Sequence, residues 1–373
     1  MKAVALCMLA FVLVGRTTGD LQPPERSYKI LVLIPVTFKS HTIVFKPLLE
    51  ALAARGHNID ILSSLPLGFK HPNVTEIYHD LMQKHKHLDD MFEFRKASAG
   101  GLEIFKDLLP GLAKDLYKVP AVKKLYEKRK DFDLIVTDHL FNEVPFITVA
   151  PPGMDHRQSA AFGNVLNPSY APTFLGSYPL PMSLWHRLMN TCIHLWIPFI
   201  WRIWFVVPLV QKEISAYFPD LPPLLELERN QSLTLMNTQF SIATPLPLLP
   251  LQVEVGAMHC RPAKPLPKDL ESWLAGAGSA GVIYFSLGSI ARSETMPPEY
   301  RQAFLEAFRR LPQRVLWKYE GELEGVSDNV RISSWFPQQD VLAKEGKVSS
   351  PGGLIKLQES IFHRTPFLVS HLR

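Results

Sequence analysis

The sequence predicts an α/β protein made of two doubly wound, Rossmann-like domains. Three observations carry that expectation. Residues 29–36 (KILVLIPV) form a continuous apolar run, the signature of a strand buried on both faces of a parallel sheet. An amphipathic helical pattern and a second strand-like run at 58–62 follow it, which makes a βαβ unit. After a proline-bearing linker at 255–269, strand-like and helical segments alternate again from residue 281. At 373 residues and 47% hydrophobic, the chain is long and apolar enough for two cores.

Residues 1–19 read as a secretory signal peptide: a lysine, an apolar run over 3–14 and small residues before Asp20. The run is short for a bilayer span. Removing it leaves Cys192 and Cys260, too few for a disulfide framework, and no metal-ligand spacing exists. A secretory route gives meaning to two glycosylation sequons, at Asn73 and Asn230. The amino-terminal domain is expected over 20–254. Its first helix carries Val44, Leu48, Leu49 and Leu52 at helical spacing and stops at Gly56, with His41 near its start. Residues 76–130 read as mostly helical, and His71, His79, His85 and His87, in polar surroundings, are expected at the surface. The basic run 123–130 contains Glu127 on a helical pattern and reads as a solvated face, not a nucleic-acid patch; a net charge of +5 agrees.

Residues 133–137 (DLIVT) read as a strand that delivers Asp138 to the same sheet edge as His41, and 145–149 (PFITV) as the next strand. Parallel neighbours need a crossover of about a dozen residues, and only 138–144 are available. Either the two strands are not parallel neighbours or a crossover helix is missing. Residues 193–210 are nearly long enough to span a membrane, yet hold Arg202, His194 and two prolines. A buried or membrane-surface segment is the better reading. The carboxyl-terminal domain, 270–373, has strands expected at 281–285, 314–318 and 330–332 and a helix at 298–311.

The chemistry-bearing residues sit at the ends of these elements. A carboxylate on one imidazole nitrogen would orient His41 as a base for a hydroxyl, with Asp138 as that carboxylate. The alternative is a helix start and a polar strand terminus. Ser289, in a Gly-Ser turn after a strand, can meet a phosphate. Trp335 can stack on a flat ring while Gln338 reads its edge, or it is a core tryptophan. Gly352 and Gly353 open a helix and allow an anion close to the backbone. Glu359 on that helix can accept two sugar hydroxyls, or it faces solvent. No G-x-G-x-x-G follows the first strand, which argues against a nicotinamide dehydrogenase.

Together these residues resemble the animal UDP-glycosyltransferases, the family of glucuronosyl- and glucosyltransferases, most closely its arthropod members. The resemblance is most specific at 282–289 (VIYFSLGS) and 335–342 (WFPQQDVL), with further likeness at Pro265-Leu266-Pro267 and at Asp131-Phe132-Asp133 before Asp138. It implies a GT-B-like fold. It also implies inverting, metal-free transfer of glucose or glucuronate from a UDP-sugar co-substrate to a small lipophilic acceptor, with no further cofactor. By resemblance His41 is the base, Asp138 its partner, Ser289 a diphosphate contact, Trp335 the uracil platform, Gln338 a donor contact and Glu359 the ribose ligand. It implies the endoplasmic reticulum lumen or membrane, and homo- or hetero-oligomers with relatives.

The departures matter as much. Pro351 stands where relatives carry a histidine, and Lys356 where they carry a serine. The segment 346–350 (GKVSS) is short and polar where a buried strand is expected, and the helix after Asp138 is missing. The chain stops at Arg373, before the Asp-Gln pair that holds the sugar, the last helices and the membrane anchor. The expectation is an incomplete carboxyl-terminal domain with weak or no transfer. The alternatives are a non-catalytic isoform that binds lipophiles or pairs with full-length relatives, or a nonfunctional remnant.

Overall fold

The computed structural model describes residues 23–81, 102–139, 147–151, 156–173, 178–288 and 291–368. The signal-peptide reading of 1–19, His85 and His87 lie outside them.

Among the described residues, the first sheet has seven strands, all parallel, in the order β3-β2-β1-β4-β5-β6-β7. These are β1 (Lys29–Ile34), β2 (Asn58–Ser63), β3 (Val74–Tyr78), β4 (Leu134–Asp138), β5 (Ile147–Ala150), β6 (Leu233–Met236) and β7 (Gln252–Glu254). The apolar run of β1 is buried on both faces. Ile30, Val32 and Ile34 pack with Val44, Phe45 and Leu49 of helix α1 (Lys39–Ala54). Leu31 and Leu33 face the other way, toward Leu112 and Leu116 of α2 (Leu102–Leu116) and Val122 and Leu125 of α3 (Pro120–Glu127). Period-two alternation thus splits one apolar run between two cores.

The strands β4 and β5 are parallel neighbours, with Asp138 beside Val149. Of the two readings of the short connection, non-adjacency is therefore excluded. Only the eight residues 139–146 join them. His79, expected at the surface, is buried at the end of β3, where its backbone N–H donates to the Ser63 carbonyl.

Between β5 and β6 lie α4 (His156–Ala161), α5 (Leu184–Pro198), α6 (Val206–Tyr217) and α7 (Leu224–Arg229). Helix α5 starts at a Ser183 cap, whose hydroxyl accepts from the His186 N–H. A π-helical turn over Phe199–Trp204 joins it to α6, giving 34 residues from Leu184 to Tyr217. The proline at 208 has no N–H for the Trp204 carbonyl, and Phe205 N–H bonds Ile200 O five residues back. Val206, Val210 and Ile214 pack on Leu109 and Ala113 of α2. The Arg202–Glu228 ion pair, 2.9 Å, ties the turn to α7. The outer side, with Leu184, Trp185, Leu188, Leu195, Trp196 and Trp204, is exposed.

Among the described residues, the second sheet has four parallel strands in the order β10-β9-β8-β11, comprising β8 (Val282–Ser286), β9 (Arg314–Lys318), β10 (Val330–Ser333) and β11 (Lys347–Pro351). Val282, Tyr284 and Leu316 pack with Leu270 and Leu274 of α8 (Lys268–Ala275). Phe285, Val315 and Trp317 pack on Leu305 and Phe308 of α9 (Pro298–Arg309). The polar segment that looked unlike a strand is β11, in register with β8 from Lys347 beside Val282 to Pro351 beside Ser286. Ladder hydrogen bonds need no apolar side chain, and Ser349 also exchanges backbone bonds of 2.8 Å with Pro366 and Leu368.

The proline-bearing stretch between the sheets is pinned to α10 (Gln338–Leu342). The Arg261 guanidinium donates to both carboxylate oxygens of Asp340, at 2.7 and 2.9 Å, and Lys264 N–H donates to Asp340 Oδ1 at 2.7 Å. The Gln339 side chain accepts from Arg261 N–H and donates to His259 O.

Candidate active site

In an open parallel sheet, ligands bind beyond the carboxyl ends of the strands where the order reverses. In the first sheet that point lies between β1 and β4. The start of α1 brings His41 there, and the last residue of β4 brings Asp138. His41 Nδ1 lies 2.5 Å from Asp138 Oδ2, and both side chains are buried. An ionised carboxylate only accepts, so Nδ1 carries the proton, and Nε2 has no partner among the described residues. His139, which sequence reasoning did not single out, bonds the other carboxylate oxygen, Nδ1 to Oδ1 at 3.3 Å, with its ring stacked 6.5 Å from His41. Burial alone would raise the Asp138 pKa; the charge of His41 and the hydrogen bonds from both imidazoles outweigh it and hold it at about 2. The only signal for His139 was adjacency to Asp138.

The equivalent reversal in the second sheet lies between β8 and β11. Gly352 follows β11 so closely against Leu287 that a Cβ would sit 2.2 Å from the Leu287 carbonyl carbon. Gly353, by contrast, has open space where a Cβ would be, and it starts α11 (Leu354–Phe362) with no side-chain cap. Ser289 lies outside the described residues. Its neighbour Gly288 offers a carbonyl to Lys318 Nζ at 2.8 Å.

Trp335, between β10 and α10, is 45% exposed, which excludes the core-tryptophan alternative. Its ring is covered: Lys39 Nζ, from the first turn of α1, sits 3.4 Å above the centroid. Burial and the charge of Lys318 push Lys39 below the usual lysine range. Glu359 is 3% exposed, so it does not face solvent. It accepts from the Gln338 amide, whose oxygen accepts from Tyr284 Oη at 3.0 Å. Burial pushes Glu359 up to about 7, against the pull of Gln338 and Lys356. His259 Nε2 is 3.7 Å from Glu359, but burial pushes His259 down to about 4, so this contact is not an ion pair at neutral pH.

Lys356 is buried, and its ammonium donates to Ser350 O at 2.7 Å and Tyr284 O at 3.2 Å, 4.1 Å from the Tyr284 ring centroid. Burial pushes it well below the usual lysine range. Helix α11 also closes against the first sheet: Gln358 Nε2 donates to Asn237 O at 2.7 Å, and Ile355 packs on the first core. Two clusters emerge, His41 with Asp138 and Gln338 with Glu359, and the Lys39–Trp335 contact spans the gap between them.

A family model described as UDP-glucoronosyl and UDP-glucosyl transferase matches residues 132–371. The chain is 31% identical over 364 residues to UDP-glycosyltransferase UGT5 of Dactylopius coccus, covering 92% of this chain and 69% of that protein. It is 28% identical over 376 residues to human UDP-glucuronosyltransferase 2B7, covering 90% and 69%. Among solved structures, the glycosyltransferase SnogD from Streptomyces nogalater superposes with a TM-score of 0.54 at 15% identity, covering 92% of this chain and 81% of that one. The calicheamicin glycosyltransferase CalG4 gives 0.51 at 16%, covering 92% and 80%. These likenesses show the GT-B fold, two Rossmann-like units facing each other. With the family match running from the strand that carries Asp138 through the helix that carries Glu359, the chain belongs to the UDP-glucuronosyl- and UDP-glucosyltransferases, a family of enzymes.

Proposed function

We propose that this chain transfers glucose or glucuronate from a UDP-sugar to the hydroxyl of a small lipophilic acceptor, with His41 as base. The observation that carries the reading is the buried His41–Asp138 pair at the sheet's reversal point, with no partner for Nε2 among the described residues. Asp138 fixes the tautomer and stays ionised; it stabilises the imidazolium and takes no proton. The acceptor O–H proton moves to Nε2 as the oxygen attacks the anomeric carbon. The bond from that carbon to the UDP oxygen breaks on the opposite side, and UDP leaves with the electron pair. On the donor side we assign Trp335 to the uracil, Gln338 and Glu359 to the nucleoside edge and ribose, and Ser289 with the Gly352 and Gly353 backbone to the diphosphate.

We further propose that transfer is slow. The Trp335 face is covered by Lys39, Glu359 is bound to Gln338, and Pro351 offers neither N–H nor charge to an anion. A second reading, a non-catalytic lipophile binder or partner of relatives, is favoured by buried Lys356, whose charge is spent on backbone carbonyls. The test is UDP release from UDP-glucose and UDP-glucuronate with phenolic acceptors. Turnover lost in His41→Ala supports transfer; acceptor binding without UDP release supports the second reading.

The exposed Trp- and Leu-rich side of α5 is proposed to rest on a membrane surface, since indole rings favour the headgroup zone. No acidic residue occurs between Leu184 and Gln211. Co-sedimentation with phosphatidylcholine vesicles, lost in Trp185→Ser/Trp196→Ser, would support it. A secretory route predicts glycans at exposed Asn230 and half-buried Asn73, read as a mass shift on endoglycosidase treatment.

A further inference from the structure

A cavity of about 480 Å³ lies against the first sheet, on the face away from α1. Its walls are mostly apolar, with Leu31 and Leu33 of β1, Leu112 of α2, Val210 and Ile214 of α6, and Phe218. Neither His41, Asp138 nor His139 lines it. Its volume is in the range of small-molecule sites.

The topology explains why this space is open. Parallel crossovers are right-handed. The step from β1 to β2 puts α1 on one face, and the opposite step from β3 to β4 puts α2 and α3 on the other. The step from β4 to β5 runs in that second direction, so its crossover belongs on the α2 face. It has eight residues, fewer than a covering helix needs. Among the described residues, the cover comes from α2, α3, α6 and α7.

The polar groups at the walls narrow the choice of occupant. Arg129 already pairs with Asp220, and Asp133 with Arg26 and the Lys29 N–H. Among the described residues, no charged group on the wall is left for a ligand's opposite charge. The Tyr117 phenol also lines the cavity, and its hydroxyl has no hydrogen-bond partner among the described residues. A carboxylate here would be desolvated without a counter-ion, at high cost. A neutral molecule with one oxygen would not.

We propose that this cavity binds an uncharged lipophile bearing a hydroxyl or carbonyl oxygen, a long-chain or polycyclic alcohol or ketone, at a site separate from the His41 cleft. The oxygen meets Tyr117, and the hydrocarbon packs against β1 and α6.

The test is a fluorescence titration of the full chain with N-phenyl-1-naphthylamine, followed by displacement with hexadecanol or palmitate. Hexadecanol is expected to displace the probe at a roughly tenfold lower concentration than palmitate. Ala113→Phe, which fills the cavity from α2, should weaken probe binding by roughly tenfold or more, and the probe should bind His41→Ala as it binds the native chain. Tyr117→Phe should weaken hexadecanol several-fold, about threefold, and leave the hydrocarbon probe unchanged. Equal displacement by palmitate, or hexadecanol affinity unchanged in Tyr117→Phe, would overturn the proposal even if Ala113→Phe failed to fold. Probe binding that survives in a folded Ala113→Phe would place the probe elsewhere, on the exposed side of α5, and overturn it equally.

Discussion

The two sheets reverse strand order in the same way, yet their reversal points are in opposite electrostatic condition. Between β1 and β4, a carboxylate held at about 2 sits between two imidazoles, fully ionised and pointed at a base. Between β8 and β11, the buried carboxylate is pushed up to about 7, the buried lysine is pushed down, and the nearest histidine is pushed to about 4. One edge is preorganised around charge; at the other, burial works against the charged forms. The difference is one of partners. Asp138 has imidazole donors on both oxygens, whereas Glu359 is met by the neutral amides of Gln338 and Gln339 and by a lysine that bonds carbonyls. A buried carboxylate stays ionised only where its partners outweigh desolvation.

The largest effect should come from breaking the first edge. His41→Ala is expected to reduce any transfer by about 10²-fold or more, to background, in a UDP-release assay. Asp138→Ala leaves two buried imidazoles unpaired and should cost roughly 3 kcal/mol in urea unfolding. Next comes the sign of the pH dependence, which should differ between the edges. Asp138 is depressed, so its contribution is present above about pH 4 and is lost as pH falls through about 2. Glu359 is raised, so its contribution is complete below its ordinary value of 4.5 and is lost as pH rises through about 7. Glu359→Gln should therefore be more stable than the native chain above pH 7 by roughly 3 kcal/mol, and the gain should vanish near pH 4.5. A gain independent of pH would erase the contrast.

Smaller effects sharpen the second edge. Gly352→Ala forces a Cβ into the Leu287 backbone and should destabilise by roughly 2 kcal/mol. Gly353→Ala meets no atom and has extended backbone that any residue adopts, so its urea midpoint should barely move. Smallest of all, Lys39→Ala uncovers Trp335. Removing a contact worth about 0.5–1 kcal/mol should raise UDP affinity about two- to fivefold, read by tryptophan quenching.

Most of the first edge was legible in the sequence. Continuous apolar runs mark parallel strands, and polar residues at their carboxyl ends mark the site, which is how His41 and Asp138 stood out. The second edge was less legible because its state depends on non-local packing. The run GKVSS has no strand-like side chains, and only pairing with β8 makes it a strand. Nothing local distinguishes buried Lys356 from a surface lysine, or exposed Trp335 from a core one. Lys39 lies two residues before His41, but its place over Trp335 depends on how the two units face each other. His79 is buried although its neighbours in sequence are polar, because β3 pairs with β2 and places its end against Ser63.

The pinned stretch between the sheets also constrains how the molecule can articulate. From His259 to Lys264 the backbone is fastened to Gln339 and Asp340, so the prolines there act as a strut moving with α10, not as a tether. Upstream the backbone is held as well: Ala257, at φ 63°, donates its N–H to Asn237 Oδ1 at 3.0 Å, and a Cβ added at Gly256 would sit 2.7 Å from the Thr238 carbonyl oxygen. The connection is thus fastened at both ends, to the first sheet and to α10, and a side chain added at Gly256 would force the Thr238 carbonyl aside.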